Sequence, residues 1–502
     1  MERSTSGDTP LPWGQLSVLL AVRLAEPVNF SLIQPFVFQV CPMVGGFDMV
    51  KSPRDVSFYS GVLFTSFSIC QAITTMYWGS LSDRIGRRPT LLIALTGNLV
   101  TFVFFGLSRS FMWALVTRSL NGFFAGTAGV VKAATAELSD DSNRSRMMAL
   151  LPLAWHVGIM AGAAVGGLLV DPAKQYPGLF GHVELFRQYP YLLPCMAGSL
   201  TTAAGLVVGL FKLKETLVFD RTASTPGMGA TEDGPATEST ALVAGPREPA
   251  HAPKPKISFA LLTPVAKRVM LTNTLMCLVV VMSMQVYPVF AATPPSDGGL
   301  GFPPREIGFS LAITGVAVIY TQLIAYPQFE RKFGALWCYQ TGMKVMVPYF
   351  IATPFLSLLA AHIVRSMESR SGLALSMPGS WSLPVDLDYC LLWVLLTALL
   401  LIRIVGDILA FTSGNLLVAN IAPSKSTLGT MISMQQLAAT LTAIVGPLAA
   451  GMLWAWSIKH DLPYPFNSHL VWVLSAGILV LAWKLSLQLP ASVNRFASGH
   501  SD

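Results

Sequence analysis

Read from its amino terminus, the chain alternates long apolar runs with short polar breaks. Runs long enough to cross a bilayer, about 20 residues each, fall at 14–40, 57–77, 90–107, 112–134, 147–170, 190–211, 269–292, 307–326, 337–360, 388–415, 427–456 and 469–490. They are uninterrupted and rich in Leu, Ala, Val and Gly, which predicts helices rather than the short two-faced strands of an outer-membrane barrel. The expected fold is an all-α membrane protein with twelve transmembrane helices. Composition agrees: 53% of the 502 residues are hydrophobic and 12% charged, with a mean hydropathy of +0.57, whereas about a quarter of a soluble domain is charged.

One long stretch breaks the rhythm. Residues 216–256 are rich in Thr, Ser, Pro, Gly and Glu, with Phe219 as their sole aromatic, and cannot build a packed core. This linker divides six runs from six and predicts two pseudo-symmetric six-helix bundles. The expected organisation is a cytoplasmic tail at 1–13, a bundle at 14–211, a cytoplasmic linker at 212–268, a second bundle at 269–490 and a cytoplasmic tail at 491–502. The halves match by eye: Arg118 precedes Gly162 by 44 residues and Arg403 precedes Gly446 by 43. The stretch Phe329-Glu330-Arg331-Lys332-Phe333-Gly334 falls between runs eight and nine, as Gly79–Arg88 falls between runs two and three. An internal duplication is expected.

The first run carries Arg23 and Glu26, so the first helix itself is expected to insert, without a cleaved signal. Basic clusters at Arg84, Arg87 and Arg88, at Arg144 and Arg146, and at Arg331 and Lys332 place those turns and both termini in the cytoplasm. The net charge of +7 resides largely beside the membrane, where anionic lipid headgroups are nearer partners than nucleic acid; no nucleic-acid partner is expected. The six cysteines are scattered, with no C-x-x-C pair and no cluster of His, Cys and carboxylates at ligand spacing, so neither metal nor cofactor is expected. No nucleophile with its base and no nucleotide loop emerges, which excludes an enzyme.

A charged side chain near the bilayer centre costs about 2.5–3.5 kcal/mol and therefore marks a protein-lined interior. At 100° per residue, Arg23 and Glu26 share a face with Phe30 and Gln34 in run one. Run four places Arg118 with Gly122, Ala125, Gly129 and Lys132, and run ten places Arg403 and Asp407 beside Ala410 and Gly414. Run seven adds Gln285 and Tyr287 before Pro288. Two readings stay open. Arg23–Glu26 at i,i+3 and Arg403–Asp407 at i,i+4 are ion pairs that hold helix register, or Glu26 or Asp407 takes up and releases a proton in competition with the arginines or a substrate. Pro27 favours the second, because it removes the backbone bond to the Arg23 carbonyl. His156 is a candidate relay, since imidazole titrates near neutrality, although a lone histidine in a span more often only finds a hydrogen-bond partner.

The run Gly79-Ser80-Leu81-Ser82-Asp83-Arg84-Ile85-Gly86-Arg87-Arg88 fits G-x-L-[SA]-D-[RK]-x-G-R-[RK] at every fixed position. It resembles the signature loop between spans two and three of the major facilitator superfamily. Gly158, Gly162, Gly166 and Gly167 make a smooth helix face and resemble the antiporter motif G-x-x-x-G-P-x-x-G-G, with Ala163 in place of its proline. Arg118-x-x-x-Gly122 is similar to the span-four motif of proton-linked exporters. Arg23-x-x-Glu26-Pro27 and Cys41-Pro42 look like the zinc-induced facilitator-like branch, near the twelve-spanner drug:proton antiporters. The resemblance implies a secondary transporter working by alternating access, with spans one, four, seven and ten lining the cavity. It implies that Gly79, Asp83 and Gly86 gate the cytoplasmic side, with Asp83 against the start of span eleven, while Arg84, Arg87 and Arg88 act as gate or as positive-inside anchors. The implied activity is proton-coupled export of a small amphipathic or organic molecule, a drug or secondary metabolite. Proton-coupled uptake and a non-transporting sensor are the alternatives. Expected partners are protons, the substrate and membrane lipid; the expected state is a monomer in the plasma membrane, with the vacuolar membrane as the alternative.

Overall fold

The computed structural model describes residues 10–40, 53–139, 143–217, 263–371, 387–421, 425–460, 463 and 469–494. The ends of both tails, most of the linker and the Cys41-Pro42 pair lie outside the described residues. Among the described residues, and apart from helices of four or five residues, twelve helical segments follow one another: α1 (Trp13–Leu32), α2 (Pro53–Ile85), α3 (Arg87–Gly106), α4 in two pieces (Phe111–Phe124 and Ala128–Glu137), α5 (Arg144–Leu169) and α6 (Leu192–Lys212). The second half holds α7 (Pro264–Ala292), α8 (Pro304–Phe333), α9 (Ala335–Ser371), α10 (Leu387–Asn420), α11 (Lys425–Lys459) and α12 (Leu470–Ser486). Among the described residues there is no strand. Within the described residues, nine of the helices are long and apolar enough to cross a membrane by length and composition. The other three are α1, which carries Arg23 and Glu26, the broken α4, and α12 with 17 residues.

The buried apolar clusters divide at the linker. One gathers Ala266 to Val493 around Phe290, Tyr349, Trp454 and Trp472; two others, around Trp78 and around Phe36 and Phe102, lie wholly within the first half. Each half therefore buries its own core, which is the physical meaning of two bundles. The outward faces stay apolar, with Met76 80%, Val316 78% and Phe211 84% exposed. Such a belt is unfavourable against water and suits hydrocarbon.

The stretch expected as a loop at Gly79–Arg88 is not a loop. α2 stays helical through Ile85, and α3 starts at Arg87, so the turn is the single residue Gly86 with φ 102° and ψ 162°, a backbone region that favours glycine. Its counterpart Gly334, between α8 and α9, has φ 85° and ψ 161°. Matching one-residue turns at matching places fit two pseudo-symmetric halves.

α4 departs from the expected continuous helix. It breaks at Ala125–Thr127, and α2 supplies the donors that the break requires. Thr74 Oγ1 and Trp78 Nε1 donate to the Phe123 carbonyl at 3.0 and 2.6 Å, and Gln71 Nε2 donates to Ala125 at 3.1 Å. In α8 a π turn at Thr321–Ala325 precedes Pro327, whose missing N–H removes one rung of the ladder.

Candidate functional site

Glu26 is 8% exposed in α1, beside Pro27. One carboxylate oxygen pairs with Arg23 and the other accepts from Gln71 Nε2 of α2 at 2.6 Å. The Arg23 guanidinium lies over the Trp155 ring of α5 at 4.9 Å, so one cation serves a carboxylate and an aromatic face together. A cavity of about 20 Å³ opens alongside, lined by Arg23, Glu26, Asn98, Phe124 and Thr127 among others, with room for about one water. Lys132 stands in electrostatic range of both Arg23 and Glu26. Its Nζ reaches Gln436 Oε1 of α11 at 3.1 Å, crossing from one bundle to the other. Neither Gln71 nor Trp155 stood out in the sequence, because a single polar or aromatic residue in a span carries no pattern.

Arg118 is elsewhere. It is 1% exposed inside the first bundle, over Phe67 at 4.3 Å and over Phe30 and Phe64 at 5.7 Å each. Nη1 donates to Asn121 at 3.3 Å, and Nη2 has no hydrogen-bond partner among the described residues. The face expected to join Arg118 to Gly122, Ala125, Gly129 and Lys132 does not exist as one surface, since the α4 break loses the helical register. Gly122 instead sits on the Phe67 backbone, while Gly129 faces open space. Arg118 and Asp407 do not line the cavity beside Glu26.

The ion pair expected between Arg403 and Asp407 is also absent among the described residues. Arg403 turns its guanidinium toward Tyr349 at 5.7 Å, leaving Nε and Nη2 without partners. Asp407, 2% exposed, stays on the same helix without that cation as a contact. Ala410 and Gly414 pack on α9 and α7, where Gly342 and Asn273 meet them. Of the run-seven pair, Gln285 donates to Ser60 of α2 at 2.9 Å, whereas Tyr287 stays in its own bundle, against Ser310 of α8.

At the α2–α3 turn, Arg87 gathers the charges. It pairs with Asp83 at 2.7 Å and with Glu137, at the end of α4, at 2.8 Å. Asp83 is 67% exposed, and nothing lies within 4 Å of a methyl group placed at Gly79, so no other helix packs closely on Gly79. Glu215, just after α6, accepts from the backbone N–H of Arg87 at 2.7 Å and of Arg88 at 3.0 Å. Glu137 and Glu215 were unreadable in advance, because their partners are distant in sequence. The second half repeats the device in neutral form: Asn494, after α12, accepts from Leu336 N at 2.8 Å.

The bundles meet most closely in the half of the molecule away from these turns. A methyl group at Gly61 would lie 2.8 Å from the Pro447 carbonyl, one at Gly451 would lie 2.6 Å from Ser57, and one at Gly167 would lie 2.7 Å from Gly308. Thr65 Oγ1 donates to the Ile444 carbonyl at 3.1 Å. Gly158, Gly162 and Gly166 face the other way: methyl groups there would strike Pro27, Val28 and Leu32 of α1. α5 is thus seated on α1 by three glycines and against α8 by the fourth, and it runs unbroken past Ala163.

A family model described as Major Facilitator Superfamily matches residues 52–387. The Major facilitator superfamily multidrug transporter mfsB of Aspergillus fumigatus is 27% identical over 502 residues, covering 88% of this chain and 78% of its own. Protein ZINC INDUCED FACILITATOR 1 of Arabidopsis thaliana is 27% identical over 486 residues, covering 95% and 91%. Among solved structures, a bacterial homolog of the human lysosomal transporter Spinster, inward-facing and unoccupied, superposes over 98% of this chain and 100% of its own. Its TM-score is 0.60 at 14% identity, a likeness of fold.

Proposed function

The chain belongs to the Major Facilitator Superfamily, in its drug-transporter group and similar to the zinc-induced facilitator-like branch, and from that premise, which makes it a multi-pass membrane transporter and not an enzyme, we propose that it is a proton-coupled exporter of a small amphipathic organic molecule. The observation that carries this reading is the buried carboxylate of Glu26, held by Arg23 and Gln71 beside a cavity with room for water. A carboxylate so placed exchanges one proton for the contact with Arg23, and Lys132 carries the consequence across the seam to Gln436. The multidrug transporter mfsB is named for the transport of drugs, which supports a small organic substrate. The aromatic faces of Trp155 and Phe411, both half-buried, are suited to such a molecule.

With both termini cytoplasmic, the close glycine contacts fall at the external end, and the proposed state is closed outward. Gly79, where a methyl group would meet nothing within 4 Å, and the exposed Asp83, paired with Arg87 of its own turn, would then engage the second bundle in the opposite state. The driving force suffices: one proton crossing about 100 mV and one pH unit releases roughly 3.7 kcal/mol, enough for a gradient of a few hundredfold. The chain would act as a monomer in the plasma membrane. Substrate-dependent proton flux in proteoliposomes tests the proposal. Glu26→Gln should abolish it while the protein stays folded in the membrane, and full flux in that variant would reject Glu26 as the carrier.

A further inference from the structure

Lys344 lies nine residues past Ala335, about 14 Å along α9, on the outward face of that helix. The stripe to which it belongs is otherwise apolar: Trp337, Pro348, Ile351 and Phe355 are exposed with it at helical spacings. Lys344 is itself exposed and makes no hydrogen bond or ion pair among the described residues. A cation set in a stripe that faces hydrocarbon needs an anion or a path to the headgroups.

Lys484 of α12 repeats the anomaly at nearly the same depth. The two helices run antiparallel, since Asn494, just past α12, meets the start of α9 at Leu336 N, and Gln340 Nε2 donates to the Ser486 carbonyl at 2.9 Å. Counted from that contact, Lys344 lies four residues further from the turn and Lys484 two, so their depths differ by about 3 Å. Lys484 is exposed on the stripe of Leu474 and Leu481 and is likewise without a hydrogen bond or ion pair among the described residues. No Asp or Glu occurs in residues 335–359 or anywhere in α7 or α12. Arg268 of α7 adds a third cation nearby, its Nη1 donating to the Gln488 carbonyl at 3.2 Å. The first bundle lacks the device. Counted from Gly86 and Gly334, Lys344 matches Thr96, whose hydroxyl donates to the Leu92 carbonyl of its own helix at 2.8 Å; counted from Glu215 and Asn494, Lys484 matches the buried Gly205.

We propose that the outward groove between α9 and α12 binds an anionic phospholipid, with its phosphate between the Lys344 and Lys484 ammonium groups and its acyl chains against Ile351, Phe355 and Leu481. Side chains on a helix lean toward its amino terminus. Lys344, the deeper of the two, leans toward the turn, and Lys484, on the antiparallel helix, leans toward the membrane centre, so the two cations approach one level from either side. Like charges at one level repel, and a phosphate between them turns that repulsion into two charge-assisted contacts. The anion is a lipid because both lysines open sideways among apolar side chains, and Trp337, nearer the turn on the same stripe, suits the headgroup boundary.

The test reads lipid binding directly. The transporter is stripped of lipid and placed in nanodiscs of phosphatidylcholine alone or with phosphatidylglycerol; retained phosphatidylglycerol is measured by native mass spectrometry, and melting is followed beside it. Wild type should retain phosphatidylglycerol in preference to phosphatidylcholine and melt higher in its presence. Lys344→Leu and Lys484→Leu should each weaken retention about tenfold, the loss of one charge-assisted contact. Lys344→Arg should keep it, and Thr96→Leu, at the matching place in the first bundle, should leave it unchanged. Equal retention by wild type and Lys344→Leu, or no preference for phosphatidylglycerol in wild type, would overturn the site. Inorganic phosphate that raises the melting point as much in phosphatidylcholine alone would identify a soluble anion, and dimers lost in Lys344→Leu would identify a second copy of the chain on the stripe; either result overturns the lipid assignment. Should Lys344→Leu fail to accumulate, Lys344→Gln is read in the same assay, with the same loss expected.

Discussion

Replacing Glu215 by Ala removes two hydrogen-bond acceptors at once from the start of α3. The two carboxylate oxygens hold the N–H groups of Arg87 and Arg88 at 2.7 and 3.0 Å, two of the donors that a first helical turn leaves without intrahelical partners. Loss of a side-chain cap costs about 0.5–2 kcal/mol. Loss of the negative charge at the positive end of the helix dipole adds about 0.3–1 kcal/mol where solvent screens it. Both bonds are exposed, so about 1–2 kcal/mol is expected for Glu215→Ala. The duplicated turn supplies an internal control. Asn494 gives one neutral oxygen to one donor, Leu336 N, and Asn494→Ala should cost about 0.5–1 kcal/mol. Thermal unfolding of the purified transporter, followed by tryptophan fluorescence at low and raised salt, reads the difference. Glu215→Ala should melt lower than Asn494→Ala, Glu215→Gln should fall between wild type and Glu215→Ala, and salt should narrow the gap. If Asn494→Ala proved the more damaging, the capping account of the first-half turn would be wrong.

Two further substitutions separate packing from gating. Asp83→Asn breaks an exposed ion pair with Arg87 worth at most about 1 kcal/mol, so the amount of protein in the membrane should hold while the transport rate falls; an unchanged rate would count against a gating role. Gly162→Val places a methyl carbon against the Val28 carbonyl and Ser31 Oγ, and overpacking of that kind costs about 1–3 kcal/mol or more. Gly129→Ala, in open space, should change melting by no more than about 0.5 kcal/mol, and equal melting of the two variants would refute the seating of α5 on α1.

The helix order was legible because apolar length is a one-dimensional property: each of the twelve runs contains a helix. That Gly158, Gly162 and Gly166 share one face was legible for the same reason, since spacing by four keeps one face, but the helix beneath them, α1, and the turning of Gly167 toward α8 were not. What the sequence could not carry was anything that depends on a break or a distant partner. The α4 break separates Arg118 from Lys132 although both fit one helical face, and no proline announces it; it is permitted by Gln71, Thr74 and Trp78, which satisfy the freed carbonyls from another helix. Arg403 and Asp407 have ion-pair spacing, yet the guanidinium prefers the ring of Tyr349 on α9, a choice that only tertiary packing makes.

The two carboxylates are not duplicates of one another. Arg118 and Arg403 occupy corresponding helices, fourth in each half, and both rest on aromatic rings. Four residues after Arg118 stands Gly122, pressed on the Phe67 backbone with no space for a side chain; four residues after Arg403 stands Asp407. In the first helix of each half the residue before the internal proline is Glu26 on one side and Tyr287 on the other. Among the described residues each bundle therefore keeps one buried acid, on its first helix in one case and on its fourth in the other, while the arginines remain symmetric. The cations belong to the shared scaffold and the acids to the specialisation laid over it. A symmetric scaffold can rock equally well in either direction, so any bias imposed by protons has to enter through residues the halves do not share, and Glu26 and Asp407 are buried acids that meet that condition.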